Sequence, residues 1–362
     1  MKILFSILLI GLINYSEALI SAEDIEKRVD DLINAMTVEE KVAQMFMVEI
    51  GSITPKEVSR YKIGAILNGG GSFPYKKKDH AVNDWVRLAD EYFSASITKN
   101  DELNIPIIWG TDAVHGHNNL KGATLFPHNI GLGATHNPKL IEQIGKVTAK
   151  QVLLTGLDLT FAPALSVPRD DRWGRTYEGF SEDPALVSEM GTAMMRGIQG
   201  DENNLFSEEH ILATVKHFIG DGGTSRGVDK GNAILDEEKL IATHGIAYIE
   251  AIKNDAQVVM ASFNSWNGIK MHGNKYLLTD VLKSQMEFDG FIVGDWNGHG
   301  QVTGCEDNNC PKAFNAGVDI FMVPTEWEPL YWNTLEQVRS GAIDIKRLDA
   351  VSYTHLTLPT KR

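Results

Sequence analysis

Six polar side chains follow short apolar runs in this sequence: Asp112, Arg172, Arg175, Lys216, His217 and Asp295. Asp295 closes the segment Phe291-Ile292-Val293-Gly294-Asp295-Trp296, a carboxylate between a glycine and a tryptophan at the end of an apolar, β-type run. Such a carboxylate can attack an anomeric carbon and form a glycosyl ester. The retaining route then needs a second carboxyl about 5 to 5.5 Å away, first as acid and later as base. Trp296 offers an apolar wall for the C–H face of a sugar ring. The alternative is an Asp that only caps the following loop.

Lys216 and His217 stand side by side at the end of the run 213–218, just before Gly220-Asp221-Gly222-Gly223. Regular pleating sends neighbours to opposite faces. If both side chains touch one ligand, the backbone must be irregular there, through a bulge or a strained peptide; otherwise Lys216 belongs to the outer helical layer. Arg172 and Arg175 lie among acids in the stretch 169–178, where pairing into loop struts is the plain reading. His115 and His117 invite a metal reading, but two His at i and i+2 without a placed carboxylate partner form a weak zinc signal, and no metal or organic cofactor is expected.

These residues need a scaffold that brings their strand ends together. Apolar, β-rich runs recur at 42–50, 63–67, 105–109, 159–162, 213–218, 258–263, 291–293 and 318–323. About eight such runs is the number that closes a (β/α)8 barrel, in which all the strand ends converge on one mouth. Helix starts fall between them: Thr37-Val38-Glu39-Glu40 is a capping box, and Asn137-Pro138 and Asp183-Pro184 each place an N-cap before a first-turn Pro. The alternation implies a parallel sheet, and a doubly wound open sheet would show the same pattern. A chain of 362 residues with 43% hydrophobic content suits one large α/β domain, expected over 19–350.

A net charge of −14 argues against a partner with a phosphate backbone. The single basic run, Lys76-Lys77-Lys78, reads as a solvated helix start. Residues 1–18 read as a signal peptide: one Lys, an apolar run over 3–13, then Ser16-Glu17-Ala18. A membrane span would need about 20 apolar residues, so a secreted or periplasmic protein, free of the membrane after signal removal, is expected. In that setting the two cysteines, Cys305 and Cys310, favour a small-loop disulfide over two free thiols. Residues 351–362 break the helical pattern that begins at Ile345 and read as foreign sequence joined to a truncated gene, the alternative being a native frayed terminus.

In combination, five ordered motifs resemble glycoside hydrolase family 3: GTDAVHGHNNLKGATLFPHNIGLGAT from Gly110, RDDRWGRTYEGFSEDP from Arg169, KHFIGDGGT from Lys216, VVMASFNSWNGIKMH from Val258 and GFIVGDWNGHG from Gly290. The resemblance covers residues 22–350 and is strongest to the β-glucan exohydrolase branch. It implies a (β/α)8 TIM-type barrel that binds a terminal β-D-glucosyl unit of a β-glucan or cello-oligosaccharide, with Asp295 as nucleophile. Asp112, Arg175, Lys216, His217 and Met260 would line the pocket and Trp296 would form one wall of a stacking clamp. Phe263 stands where the branch often carries Tyr, which removes one hydroxyl contact. In this branch the acid/base Glu and the opposing Trp come from a second α/β domain after the barrel, so the resemblance implies that this chain stops short of them. Other readings remain open: a β-xylosidase, or a non-catalytic sugar-binding fragment. The family's single-domain β-N-acetylglucosaminidases use a loop His after the Lys-His strand, and the loop GDGGTSRGVDKG here has none.

Overall fold

A computed structural model describes residues 22–97, 103–201 and 207–360; the expected signal peptide at 1–18 lies outside them. Eight parallel strands form the core: β1 (Phe46–Glu49), β2 (Ala65–Asn68), β3 (Ile108–Thr111), β4 (Leu159–Thr160), β5 (Leu212–Phe218), β6 (Val258–Ala261), β7 (Phe291–Val293) and β8 (Phe321–Val323). Each of β1 to β7 is hydrogen-bonded to its sequence neighbours in this series, and β1 also pairs with β8 through Phe46↔Phe321 and Met47↔Met322. The remaining seam, between β7 and β8, is closed by a bridge between Val293 and Ile320, with Gly294 N–H donating to Ile320 O at 2.8 Å. The ring is a (β/α)8 barrel, and the open-sheet alternative is removed.

Alternation along the strands fills it. Met47, Leu67, Ile108, Phe161, Met260 and Val293 pack in the lumen, while Phe46, Val48, Ile66 and Val259 face the surrounding helices. Those helices start where the sequence signals them. Thr37 and Glu40 close a capping box, Asn137 Oδ1 accepts from Leu140 N–H at 3.1 Å, and Asp183 Oδ1 accepts from Ala185 N–H at 2.9 Å.

Three local expectations are corrected. Val42 and Ala43 belong to the helix Val38–Ala43 and not to β1; they form that helix's buried face, and an apolar run continuous with a strand carries no mark of where one ends. Lys76 ends a short 3-10 turn, Pro74–Lys76, and the next helix starts only at Val82. The helical pattern also does not break at Val351: Ile345–Thr360 is one helix, because Leu348, Val351, Ser352 and Leu356 recur at helical spacing and are all buried. Leu356 packs with Val29 and Met36, and the Tyr353 hydroxyl bonds to Glu26, so this helix lies against Ala22–Ala35. Arg347 fastens it to the barrel by donating to Asp319 Oδ1 at 2.7 Å, a buried carboxylate that Lys283 also binds.

Candidate active site

The polar residues meet at the carboxyl ends of the strands. Asp112 follows β3, Arg175 lies in the long loop after β4, Lys216 and His217 end β5, and Asp295 follows β7. On β5 the ladder with β6 shifts register between Lys216 and Phe218, and the Lys216-His217 peptide is cis. Both side chains reach the mouth. Lys216 Nζ lies 3.2 Å from Asp112 Oδ1, and His217 Nε2 lies 3.8 Å from Asp295 Oδ2. Lys216 therefore reaches the mouth and not the helical layer, and the backbone there is irregular, the condition for both side chains to face one ligand.

Arg175 and its neighbours fix the state of His217. Arg175 Nη2 lies 2.8 Å from His217 Nε2. A guanidinium only donates, so Nε2 accepts and the ring proton sits on Nδ1. Nδ1 in turn donates to Asp221 Oδ2 at 2.9 Å. Asp221 also accepts from the Ser166 hydroxyl at 2.6 Å and from Gly222 N–H at 2.9 Å. Burial, reinforced by Arg175 and Lys216, keeps the His217 ring neutral by lowering its pKa well below the usual value.

Asp295 has two oxygens in different settings. Oδ1 accepts from Trp296 N–H at 2.7 Å, while Oδ2 faces His217. Its own N–H donates to His272 Nε2 at 2.9 Å, so His272, whose pKa burial lowers to about 3, serves as a neutral acceptor beneath the carboxylate. Burial raises the pKa of Asp295 to about 6, against the opposing pull of the Trp296 N–H, Arg175 and Lys216.

The remaining residues divide clearly. The Nε–Nη2 edge of Arg175 is engaged by Glu178, at 2.8 and 2.9 Å, so this fork grips a carboxylate of the protein. Those bonds hold Glu178 below the ordinary carboxylate range although burial acts in the other direction. Arg172 forks onto Asp170 at the surface and is a loop strut. Trp296 is 41% exposed, and its ring edge stands over Gly69, where a Cβ would lie 2.6 Å from a ring carbon. Met260 is 2% exposed; it pairs with Lys216 and Val293 in the ladder and forms part of the lumen beneath the site. Phe263 is 9% exposed, with Lys230 Nζ 4.2 Å from its ring centre.

A cavity of about 220 Å³ opens between Asp112, His115, His128, Arg175, Tyr177 and Lys216. A larger hollow of about 360 Å³ lies behind the 168–182 loop and contains none of the residues just placed at the mouth. His115 stacks edge-on against His128 in the smaller cavity, whereas His117 is fully buried with Nε2 3.0 Å from Thr155 Oγ1. The two do not converge, and among the described residues no three His, Cys, Asp or Glu side chains are grouped to hold a metal. Cys305 and Cys310 are joined by a disulfide.

Sequence reasoning missed three members: Glu178, Asp221 and His272. Glu178 is three residues beyond Arg175 and Asp221 four beyond His217, spacings that could have marked each as a partner. His272 carried no such signal, because it arrives from the loop after β6.

The description of the glycosyl hydrolase family 3 N-terminal domain matches residues 37–357. An exo-1,3/1,4-β-glucanase from a Pseudoalteromonas species superposes with a TM-score of 0.89 at 49% identity, over 92% of this chain and 42% of that one. A lysosomal β-glucosidase of Dictyostelium discoideum is 31% identical over 89% of this chain, which spans 42% of that relative's length. A periplasmic β-glucosidase of Salmonella typhimurium is 30% identical, again over 89% of this chain and 40% of the relative. With its eight-stranded barrel, its convergent strand-end residues and a family match over most of its length, the chain belongs to glycosyl hydrolase family 3.

Proposed function

We propose that this chain carries the nucleophile and the glucose-binding pocket of a retaining, exo-acting β-glucosidase. The observation that supports this best is Asp295: a carboxylate in a largely dry site, one oxygen held by a backbone N–H, the other facing neutral His217. In the first step one Asp295 oxygen attacks the anomeric carbon. The glycosyl ester bond forms as the bond to the leaving-group oxygen breaks, and the electron pair leaves with that oxygen. Water then returns the sugar with its configuration retained. Asp112, 40% exposed at its side chain and paired with Lys216, is the acceptor for sugar hydroxyls. A carboxylate that accepts two such hydroxyls discriminates strongly against sugars lacking either.

The proton for the leaving group has no evident source among these residues: Asp112, Glu178 and Asp221 are engaged by Lys216, Arg175 and His217. We assign the acid/base to a further domain of a longer protein, in keeping with a chain that spans less than half the length of the relatives named above. Our reading of the substrate class is supported by those relatives and by a Listeria innocua β-glucosidase, 27% identical, a mutant of which has been solved in complex with laminaribiose. Export is our reading of the 1–18 segment, supported by the Cys305–Cys310 disulfide and the periplasmic relative. Among the described residues no helix is long and apolar enough to cross a membrane.

An activated 2-deoxy-2-fluoro-β-D-glucoside tests the assignment, since its dinitrophenolate leaves without a proton. The chain is expected to gain one fluoroglucosyl group on the peptide that holds Asp295. Label on any other peptide overturns the reading.

A further inference from the structure

The turn after the nucleophile is gripped by a second loop that lies outside the sugar pocket. Asn297 adopts a left-handed conformation, φ 49°, and its side-chain N–H donates to Asp307 Oδ2 at 2.8 Å. Two residues on, His299 Nε2 donates to the Asp307 carbonyl at 2.8 Å. At Gly300 a Cβ would lie 1.9 Å from Asp307 Oδ1, so the carboxylate rests directly on the glycine backbone. One residue thus meets three positions of the turn that carries Trp296.

Asp307 is itself held. It lies in the ring closed by the Cys305–Cys310 disulfide, and Glu306 and Asn309 exchange two backbone hydrogen bonds of 3.0 Å across it. The ring is tied to the helix Trp327–Arg339, because Asn333 donates to Asn308 O at 2.8 Å and Gln337 donates to Asn309 Oδ1 at 2.7 Å. Trp296 is 41% exposed, and outside its contact with Gly69 its ring depends on how the backbone is held. The backbone on either side is anchored. Asp295 is anchored through His272, and Asn297 through Met322 O and Asp307.

We infer that Asp307 is a positioning residue for sugar binding: held by the Cys305–Cys310 ring, it sets the Asn297 turn and with it the Trp296 wall against the bound glucosyl unit. The inference rests on the pocket assignment made above. The effect should fall on affinity and little on the bond-making step, because the Asp295 carboxylate is held by separate contacts, the Trp296 N–H and the strand-end bond to His272.

The test measures two quantities on the full chain: the D-glucose dissociation constant by calorimetry, and the labelling kinetics with the fluorinated glucoside, resolved into inactivator affinity and limiting rate. In Asp307→Ala both affinities are expected to weaken severalfold and up to about tenfold, the factor reached when the lost bond to a charged group is felt wholly in the bound state. The limiting rate should stay within about threefold and the labelled fraction unchanged. Asp307→Asn keeps an oxygen for Asn297 and is expected to bring both affinities back to within about threefold of the parent. The pair Cys305→Ser, Cys310→Ser should weaken the same affinities by releasing the ring. Parent-like glucose affinity in Asp307→Ala overturns the proposal, and so does a reduced labelled fraction with unchanged affinities, which is the signature of partial unfolding. If the parent binds glucose but carries the label elsewhere, the Asp295 reading fails by itself and the glucose arm still decides this one.

Discussion

Replacing Asp295 with Asn should remove glycosylation and, at neutral pH, stabilise the fold. Burial raises the Asp295 pKa from 3.8 to about 6, so the folded chain binds this proton more tightly than the unfolded chain does. The sign follows from that. Well below pH 4 both states are protonated and the residue contributes its full stability; that contribution falls as pH rises from about 4 and is lost above about 6, where the folded state must hold a charge it solvates poorly. A shift of about 2 units at 1.36 kcal/mol per unit makes the loss about 3 kcal/mol. Asn does not ionise. The stability of the variant minus that of the parent should therefore grow by about 2.5 kcal/mol between pH 4 and pH 7.5, most of it between 4 and 6. Urea unfolding of both chains at several pH values reads this difference, and any pH-independent effect of the amide cancels from the slope. In the parent, the rate of fluoroglucoside labelling should fall below pH 6 with a midpoint near that value, as the attacking carboxylate is protonated. A stability difference that is flat with pH, or that shrinks as pH rises, would refute the reasoning. It would mean that Arg175, Lys216 and the Trp296 N–H favour the carboxylate more than burial disfavours it.

Two further substitutions probe the scaffold. Gly69→Ala places a methyl 2.6 Å from the Trp296 ring, so the ring must swing away; D-glucose affinity should fall severalfold while the urea midpoint hardly moves, because Trp296 is a surface residue. Leu356→Ala empties a buried site between the terminal helix and Val29 and Met36, with an expected loss of about 2 to 4 kcal/mol by urea unfolding. A loss below about 0.5 kcal/mol would show that this helix does not pack as described.

Much of this protein is legible in its local sequence. The apolar runs marked all eight barrel strands, and Thr37, Asn137 and Asp183 marked helix starts, because period and capping are short-range properties set within a few residues. Asp112, Lys216, His217 and Asp295 could be chosen as candidate site residues since each follows or lies at the end of a strand, and a barrel gathers strand ends at one mouth. The expected break in the helix at Val351 failed for a related reason: Leu356 completes a helical face only once the helix Ala22–Ala35, from the opposite end of the described chain, packs against it.

Only the tertiary structure decided what those residues are to one another. The sequence contains a Lys-His pair, but their convergence depends on an irregular end of β5 that no pattern announces beyond the glycines after it. It contains Arg175, but whether the guanidinium meets sugar hydroxyls or Glu178 is a question of side-chain geometry, and Glu178 holds its fork. His115 and His117 are two residues apart in sequence, yet one lines the cavity and the other is buried beside Thr155. Residue type and position along a strand thus identified Asp295 as the candidate nucleophile. Its raised pKa, its neutral His217 neighbour and the Asp307 brace behind its turn arise from distances between groups far apart in the chain, and those exist only once the barrel has closed.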